Sequence, residues 1–289
     1  MSDPAGAGTS EMASAARIRN RRKPAASGKT PSLRLERALQ RQGYRIIAGM
    51  DEVGRGALAG PVSVGVVCVG ASVRSAPSGV RDSKLLTATA RESMIEPIKR
   101  WADGWGVGHA FPDEIDALGI IGALRLAGSR ALDSCGLRPD LVILDGKHDW
   151  LTDPSATGLL GLIEGAALCP PVQTRIKADL TCSSVAAASV LAKVERDEMM
   201  AVGAEKHPGY RWEINKGYGS AAHLEALRTK GPSEWHRRSW NLGVPTGSPP
   251  VTREFDSVST RHDRAGEAMA ELRSGMRHDG TVEVAVDGR

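Results

Sequence analysis

The order of apolar and polar positions divides the middle of the chain into short strands followed by longer helices. After Pro31-Ser32, Leu35 and Leu39 recur at helical spacing and predict a short helix. The apolar run Ile46 to Met50, in a strand over 45–50, and a second run from Val62 to Val69, separated by a glycine turn, predict two neighbouring strands, and Trp105 to Phe111 predicts a third. Residues 113–135 read as helix. Leu141-Val142-Ile143-Leu144 is a continuous apolar run that stops at Asp145, the pattern of a buried strand. A further strand is expected near Val172 to Lys177, just ahead of Asp179. From Ser183 to Met200 the period becomes helical: Ala186, Val190 and Val194 form one row, and Ala187, Ala188 and Ala192 are small enough for close packing. Lys193 and Arg196 fall off that row and are expected in solvent. Residues 203–240 predict a small helical extension that carries Lys216-Gly217-Tyr218-Gly219. Strands first, then alternation with helices, gives an α/β class with a mixed central sheet flanked by helices.

Composition narrows the class without naming it. The chain has 289 residues, 41% hydrophobic and 25% charged, enough for a sizeable core. One main domain over 31–245 is expected, with extensions over 1–30 and 246–289. The formal charge of +4 and pI near 9.0 suit a polyanionic partner but also suit many proteins that never meet one. The charge is unevenly spread. Arg17, Arg19, Arg21, Arg22, Lys23 and Lys29 stand against Asp3 and Glu11 in a head rich in Ala, Ser, Gly and Pro, which reads as a disordered basic arm. That arm could attract phosphates or simply be solvated. The tail after 246 mixes arginines with acids and has no readable role. No apolar stretch suggests a secretory signal or a membrane span, so a cytoplasmic protein is expected. Cys68, Cys135, Cys169 and Cys182 form no Cys-x-x-Cys pair and no histidine pair stands at zinc spacing, so reduced, structural cysteines are expected. His236 is expected to pack or hydrogen-bond rather than react.

The most informative chemistry lies at the end of the first apolar run, where Asp51 and Glu52 precede Gly54-Arg55-Gly56. Carboxylate oxygens hold hard divalent cations, and glycines let a phosphodiester approach the backbone. An isolated Asp-Glu pair is more often a solvated strand-to-turn junction. Neighbouring strand residues face opposite ways, so these two acids can share a site only if the backbone bends there. Ser183 and Ser184 have no evident adjacent base, which argues against covalent catalysis.

Five segments, in order, lift the pair above the ordinary reading: GMDEVGRGALAGPVSVGVV at 49–67, RDSKLL at 81–86, LVILDGK at 141–147, IKADLTCSSVAAASVLAKVERD at 176–197, and INKGYGSAAHLEAL with GPSEWHRRSW at 214–240. Together they resemble prokaryotic ribonuclease HII. The resemblance implies the ribonuclease H-like fold and places the family's metal-binding, catalytic acids at Asp51, Glu52, Asp145 and Asp179. It implies Mn²⁺ or Mg²⁺ as cofactor and no small-molecule cofactor. Its substrates are RNA/DNA hybrids and duplex DNA containing single ribonucleotides, cut on the 5′ side to leave 3′-hydroxyl and 5′-phosphate ends. Gly54, Arg55 and Gly56 correspond to the family's reader of the ribose 2′-hydroxyl, Tyr218 to its stacking partner, and Lys84, Arg55 and Lys193 to contacts with the substrate backbone. By residue type alone, Tyr218 would be a packing residue and Lys84 a solvated one. The connection between Asp145 and Asp179, with Trp150, the Gly158 to Gly165 stretch and Cys169-Pro170-Pro171, is longer than the family pattern. A monomer is expected. Two other classes stay open: another ribonuclease H-like nuclease such as a junction resolvase, and a protein that binds hybrids without cutting them.

Overall fold

The structure, a computed structural model, describes residues 30–153 and 169–244. The basic arm, the Gly158 to Gly165 stretch and the tail beyond 246 lie outside the described residues. Five strands form one sheet: β1 (Ile47–Val53), β2 (Val62–Val69), β3 (Gly104–Ala110), β4 (Leu141–Asp145) and β5 (Val172–Arg175), in the order β3-β2-β1-β4-β5. β1 pairs antiparallel with β2, and β2 with β3, while β4 runs parallel to both β1 and β5. The sheet is therefore mixed, as the order of elements predicts. β1 does not stop at residue 50: its ladder to β2 continues through Asp51 and Glu52 to the Val53–Ser63 pair.

Among the described residues there are six helices: α1 (Arg34–Gln40), α2 (Ala88–Trp101), α3 (Pro112–Ser134), α4 (Ser183–Lys206), α5 (Trp212–Asn215) and α6 (Ala221–Lys230). Alternation along the strands sorts them into two layers. Ile47, Val67 and Ile143 point to a core shared with α4 and α2, and Met50, Val64 and Leu144 to a core shared with α3. α3 bends at Gly119, whose φ of 67° leaves the helical region. α2 has no counterpart in the sequence reading. Thr87 caps it by accepting from the Ala90 amide at 3.2 Å, and Pro97 lies inside it. Of its own residues only Ile98 is fully buried, so its apolar stripe is thin.

α4 lies unusually close to the strands because two glycines face it. A methyl group on Gly49 would stand 2.4 Å from the Ser184 backbone, and one on Gly65 would stand 2.3 Å from the Ala188 carbonyl. Gly65 is the β2 partner of Asp51. The alanines read from the sequence as packing residues thus bring this helix directly against the strand that carries the first acid. A third core, formed by Tyr210, Trp212, Ala226, Leu227 and Leu242 with Ala59 and Met200, builds the helical extension against the loop after β1.

Candidate active site

β1 and β4 are parallel, and Met50 pairs with Leu144, so Asp51 and Asp145 stand side by side one residue further on. Adjacent strands are about 4.8 Å apart. Parity puts both acids on the α4 face. Glu52 follows Asp51 at the same rim without a break in the strand, and the turn comes after it, at Gly54 with φ 83°. The expected bend between the two acids is therefore absent; their shared location comes from lying at the end of the sheet. Asp179 sits in a short 3₁₀ turn, Ala178–Leu180, between β5 and α4. That turn is tied to the first acids because the Ala178 amide donates to Asp145 Oδ1 at 2.7 Å.

The electrostatics of these groups show that they share one neighbourhood. Burial, then the nearby Glu52 and Asp145 charges, push the Asp51 carboxyl up to about 8 against the pull of Ser189 and Lys84. Burial also raises Glu52, with Asp145 adding to the effect and Arg55 opposing it. Asp179 is pushed up to about 6 by burial, Asp145 and Asp82, opposed by Lys84. A cluster of buried carboxylates that repel one another favours the arrival of positive charge. Glu52 Oε2 is buried with no hydrogen-bond partner, although such oxygens are normally satisfied. Hard oxygen donors, one of them unpartnered, suit Mg²⁺ or Mn²⁺. Among the described residues, no group of three or more histidine, cysteine or acidic side chains is placed to hold a metal ion by itself; the acids line an edge.

Lys84 belongs to this edge. Its Nζ lies 3.8 Å from Asp179 Oδ2 while most of its side chain stays exposed. Partial burial pulls its pKa down, but Asp51, Asp82, Asp179 and Asp145 outweigh that and leave the amine above its ordinary value. Lys193 does not join the group. It pairs with Asp197, and the charges bearing most on it are Asp197, Arg91 and Arg196.

Gly54, Arg55 and Gly56 form the turn that follows β1, closed by the Ala57 amide donating to the Gly54 carbonyl at 3.2 Å. Arg55 and Gly56 are exposed, and Arg55 Nη1 lies 3.5 Å from Glu52 Oε1. Tyr218 is 40% exposed beside this loop. The Gly217 carbonyl accepts from the Leu58 and Ala59 amides at 2.8 and 3.2 Å, which brings the Tyr218 segment against it.

Four residues emerge that sequence reasoning missed or misplaced. Arg196, expected in solvent, is fully buried and donates to the carbonyls of Pro61, Lys216 and Ala59, with the Tyr218 ring 5.6 Å from its guanidinium carbon. The reason is steric. A Cβ on Gly54 would fall 2.0 Å from Arg196 Nε, so the glycine leaves the space that the guanidinium occupies. Arg237 is likewise buried beneath the loop. Asp82 caps the turn that carries Lys84 by accepting from the Lys84 amide at 2.9 Å, and Asp-Ser-Lys is a readable capping signal. Ser189 bonds to Ser83 at 2.8 Å and favours the charged form of the Asp51 carboxyl.

A mixed sheet carrying acids at the ends of its central parallel strands, with a glycine loop and an exposed tyrosine beside them, defines a nuclease of the ribonuclease H-like class. The family model for ribonuclease HII matches residues 48–242. A ribonuclease HII of Streptomyces avermitilis is 46% identical over 73% of this chain and 83% of its own length, and one of Paracoccus denitrificans is 43% identical over 73% and 91%. The crystal structure of ribonuclease H2 from Pyrococcus horikoshii superposes with a TM-score of 0.53 at 27% identity, covering 68% of this chain and 94% of that one. The chain belongs to the ribonuclease HII family and is an endoribonuclease, a phosphodiester hydrolase. No helix among the described residues is long and apolar enough to cross a membrane.

Proposed function

We propose that this endonuclease cuts the RNA strand of RNA/DNA hybrids, and duplex DNA on the 5′ side of an embedded ribonucleotide, with Asp51, Glu52, Asp145 and Asp179 as its cation-holding acids. The observation that carries the reading is the convergence of four acids, spread over 129 positions from Asp51 to Asp179, at one sheet edge where burial and neighbouring carboxylates raise Asp51, Glu52 and Asp179. Bound Mg²⁺ or Mn²⁺ would supply an activated water and stabilise the departing oxygen. The acids contribute negative charge that offsets the cations and fix their place against the strand ends. Ser189 favours the charged form of Asp51, and the Ala178 amide orients Asp145 through one oxygen.

Selection of RNA requires a group that senses the 2′-hydroxyl. In this reading the exposed Arg55 and Gly56 amides face that hydroxyl, Tyr218 stacks on the neighbouring sugar, and Lys84 and Arg55 meet phosphates. Lys193, held by Asp197, serves the more distant part of the backbone. No side-chain nucleophile takes part, and the products carry 3′-hydroxyl and 5′-phosphate ends. The protein works as a monomer in the cytoplasm.

The test is incubation of two duplexes of one sequence, all-DNA and DNA with a single ribonucleotide, with Mg²⁺, Mn²⁺ or neither. One cut, 5′ of the ribonucleotide and only with a cation, is expected. Equal cutting of both duplexes would favour a resolvase-like nuclease, and binding without product a hybrid-binding protein.

A further inference from the structure

Arg237 has no exposed surface, yet every hydrogen bond its guanidinium makes among the described residues ends on a main-chain carbonyl. Nη2 donates to Gly54 at 2.7 Å and to Gly60 at 3.1 Å, Nη1 to Arg55 at 2.9 Å and Nε to Gly60 at 3.2 Å. The planar fork holds its donors in a fixed arrangement, so the carbonyls that meet it are fixed as well. Arg196 holds the same loop further along, through Ala59 and Pro61, and joins it to Lys216 next to Tyr218. Trp240 packs 5.0 Å from the Arg237 guanidinium carbon and seals its other side.

A trans peptide points its carbonyl and the following amide in opposite directions, and no peptide among the described residues is cis. By drawing the Gly54 and Arg55 carbonyls inward, Arg237 turns the Arg55 and Gly56 amides outward. The outer side of the turn is open: both residues are exposed, and a Cβ built on Gly56 meets nothing within 4 Å. Two outward amides on a turn that cannot rotate make a donor pair for a hydroxyl oxygen.

We propose that Arg237 is the positioning residue of the ribose sensor, so that preference for a 2′-hydroxyl depends on a side chain that never touches the substrate. The inference rests on the reading of Gly54-Arg55-Gly56 as that sensor. A guanidinium that served packing alone would, when lost, weaken the binding of every nucleic acid equally. A positioning guanidinium removes discrimination first.

The experiment measures equilibrium binding without divalent cation, so that nothing is cut, to an all-DNA duplex and to the same duplex carrying one ribonucleotide. The wild type is compared with Arg237→Lys, Arg237→Gln and, as neighbour control, Arg238→Gln. The ratio of the two Kd values from one preparation does not depend on how much of the protein is folded. The wild type should prefer the ribonucleotide duplex. Both Arg237 variants should lose about three- to tenfold of that preference, the scale of one or two hydrogen bonds, with all-DNA affinity unchanged, lysine retaining more than glutamine, and Arg238→Gln keeping the wild-type ratio. Arg237 variants with the wild-type ratio, or with equal losses on both duplexes, would overturn the proposal and leave the sensor reading intact. A wild-type ratio of one would sink both. Amide hydrogen exchange tests the same point on the unaltered protein. The Arg55 and Gly56 amides should exchange fast when free and slow only with the ribonucleotide duplex; protection by both duplexes alike contradicts the proposal.

Discussion

The acidic edge of the sheet and the helical extension beside it bury polar groups in opposite ways. At the edge, Asp51, Glu52 and Asp179 are driven above their ordinary pKa values by burial and by neighbouring carboxylates, Asp145 among them in each case, and one Glu52 oxygen has no partner. In the extension each polar atom of the buried histidines finds a partner of the right kind. His223 Nδ1 donates to the Tyr218 carbonyl at 2.9 Å, and its Nε2 accepts from Trp212 Nε1 at 3.1 Å and from His236 Nε2 at 3.0 Å. His236 Nδ1 in turn accepts from the Ser233 amide at 2.9 Å. The amide and the carbonyl at the two ends have fixed roles, so both imidazoles are neutral and their tautomers follow. Trp212 stacks on Tyr210 and Trp235 with ring centroids 5.1 and 5.8 Å apart. One region is left electrostatically incomplete and the other is satisfied internally. Under the proposed function, an edge that takes up cations benefits from the first, and a segment that presents Tyr218 to the substrate benefits from the second.

The comparison breaks most sharply if the acids can be neutralised without consequence. Asp51→Asn should reduce cleavage about a thousandfold or more while the melting temperature, taken without cation above the Asp51 pKa of about 8, holds or rises, because there it removes a repelled buried charge. Calorimetry beside a cleavage assay checks both halves; a variant that loses stability together with activity would make Asp51 a structural residue. Trp212→Ala should do the reverse. Removing a fully buried aromatic costs about 3–5 kcal/mol, so denaturant unfolding should shift strongly, and Mn²⁺ binding measured below the transition should not.

Acid sharpens the contrast at intermediate size. Burial pulls His236 down to about 3, helped by His223, and burial lowers His223 as well. Below about 6.5 the unfolded chain binds protons that the folded extension refuses. The contribution of His236 is therefore complete above that pH and is lost as pH falls towards 3, by about 1.4 kcal/mol per pH unit, and the lowered His223 adds to it in the same direction. His236→Gln should flatten the slope seen in urea titrations between pH 6.5 and 4; an identical slope would contradict the neutral assignment. The smallest expected effect belongs to Tyr218→Phe. It keeps the ring against Arg196 and removes only the hydroxyl, so cutting at a lone ribonucleotide should fall about tenfold or less, on the scale of one hydrogen bond. Unchanged rates on that substrate would argue against a role for the hydroxyl.

Much of the acidic edge was legible because its causes are local. Apolar runs that end in an acid mark strands whose ends carry chemistry, and Val62–Val69 was read to the residue. The helical extension was legible only as an extension. Its stability comes from contacts between residues far apart in the chain, such as Trp212 with Trp235 and Arg237 with Gly54, and no periodicity announces them. Arg196 shows why a helical pattern misleads. A charged residue off the apolar row belongs in solvent unless the facing element lacks a side chain, and Gly54 is that exception. α2 escaped notice because Pro97 and a thin apolar stripe hide a helix whose start Thr87 nevertheless marks.

The central claim is that acids distant in sequence form one cation site, and Mn²⁺ binding followed by electron paramagnetic resonance tests it most directly. Wild-type protein should bind Mn²⁺, and Asp51→Asn, Glu52→Gln, Asp145→Asn and Asp179→Asn should each weaken that binding together with cleavage. Undiminished Mn²⁺ affinity in Asp145→Asn or Asp179→Asn would show that the acids do not act as one site and would contradict the account.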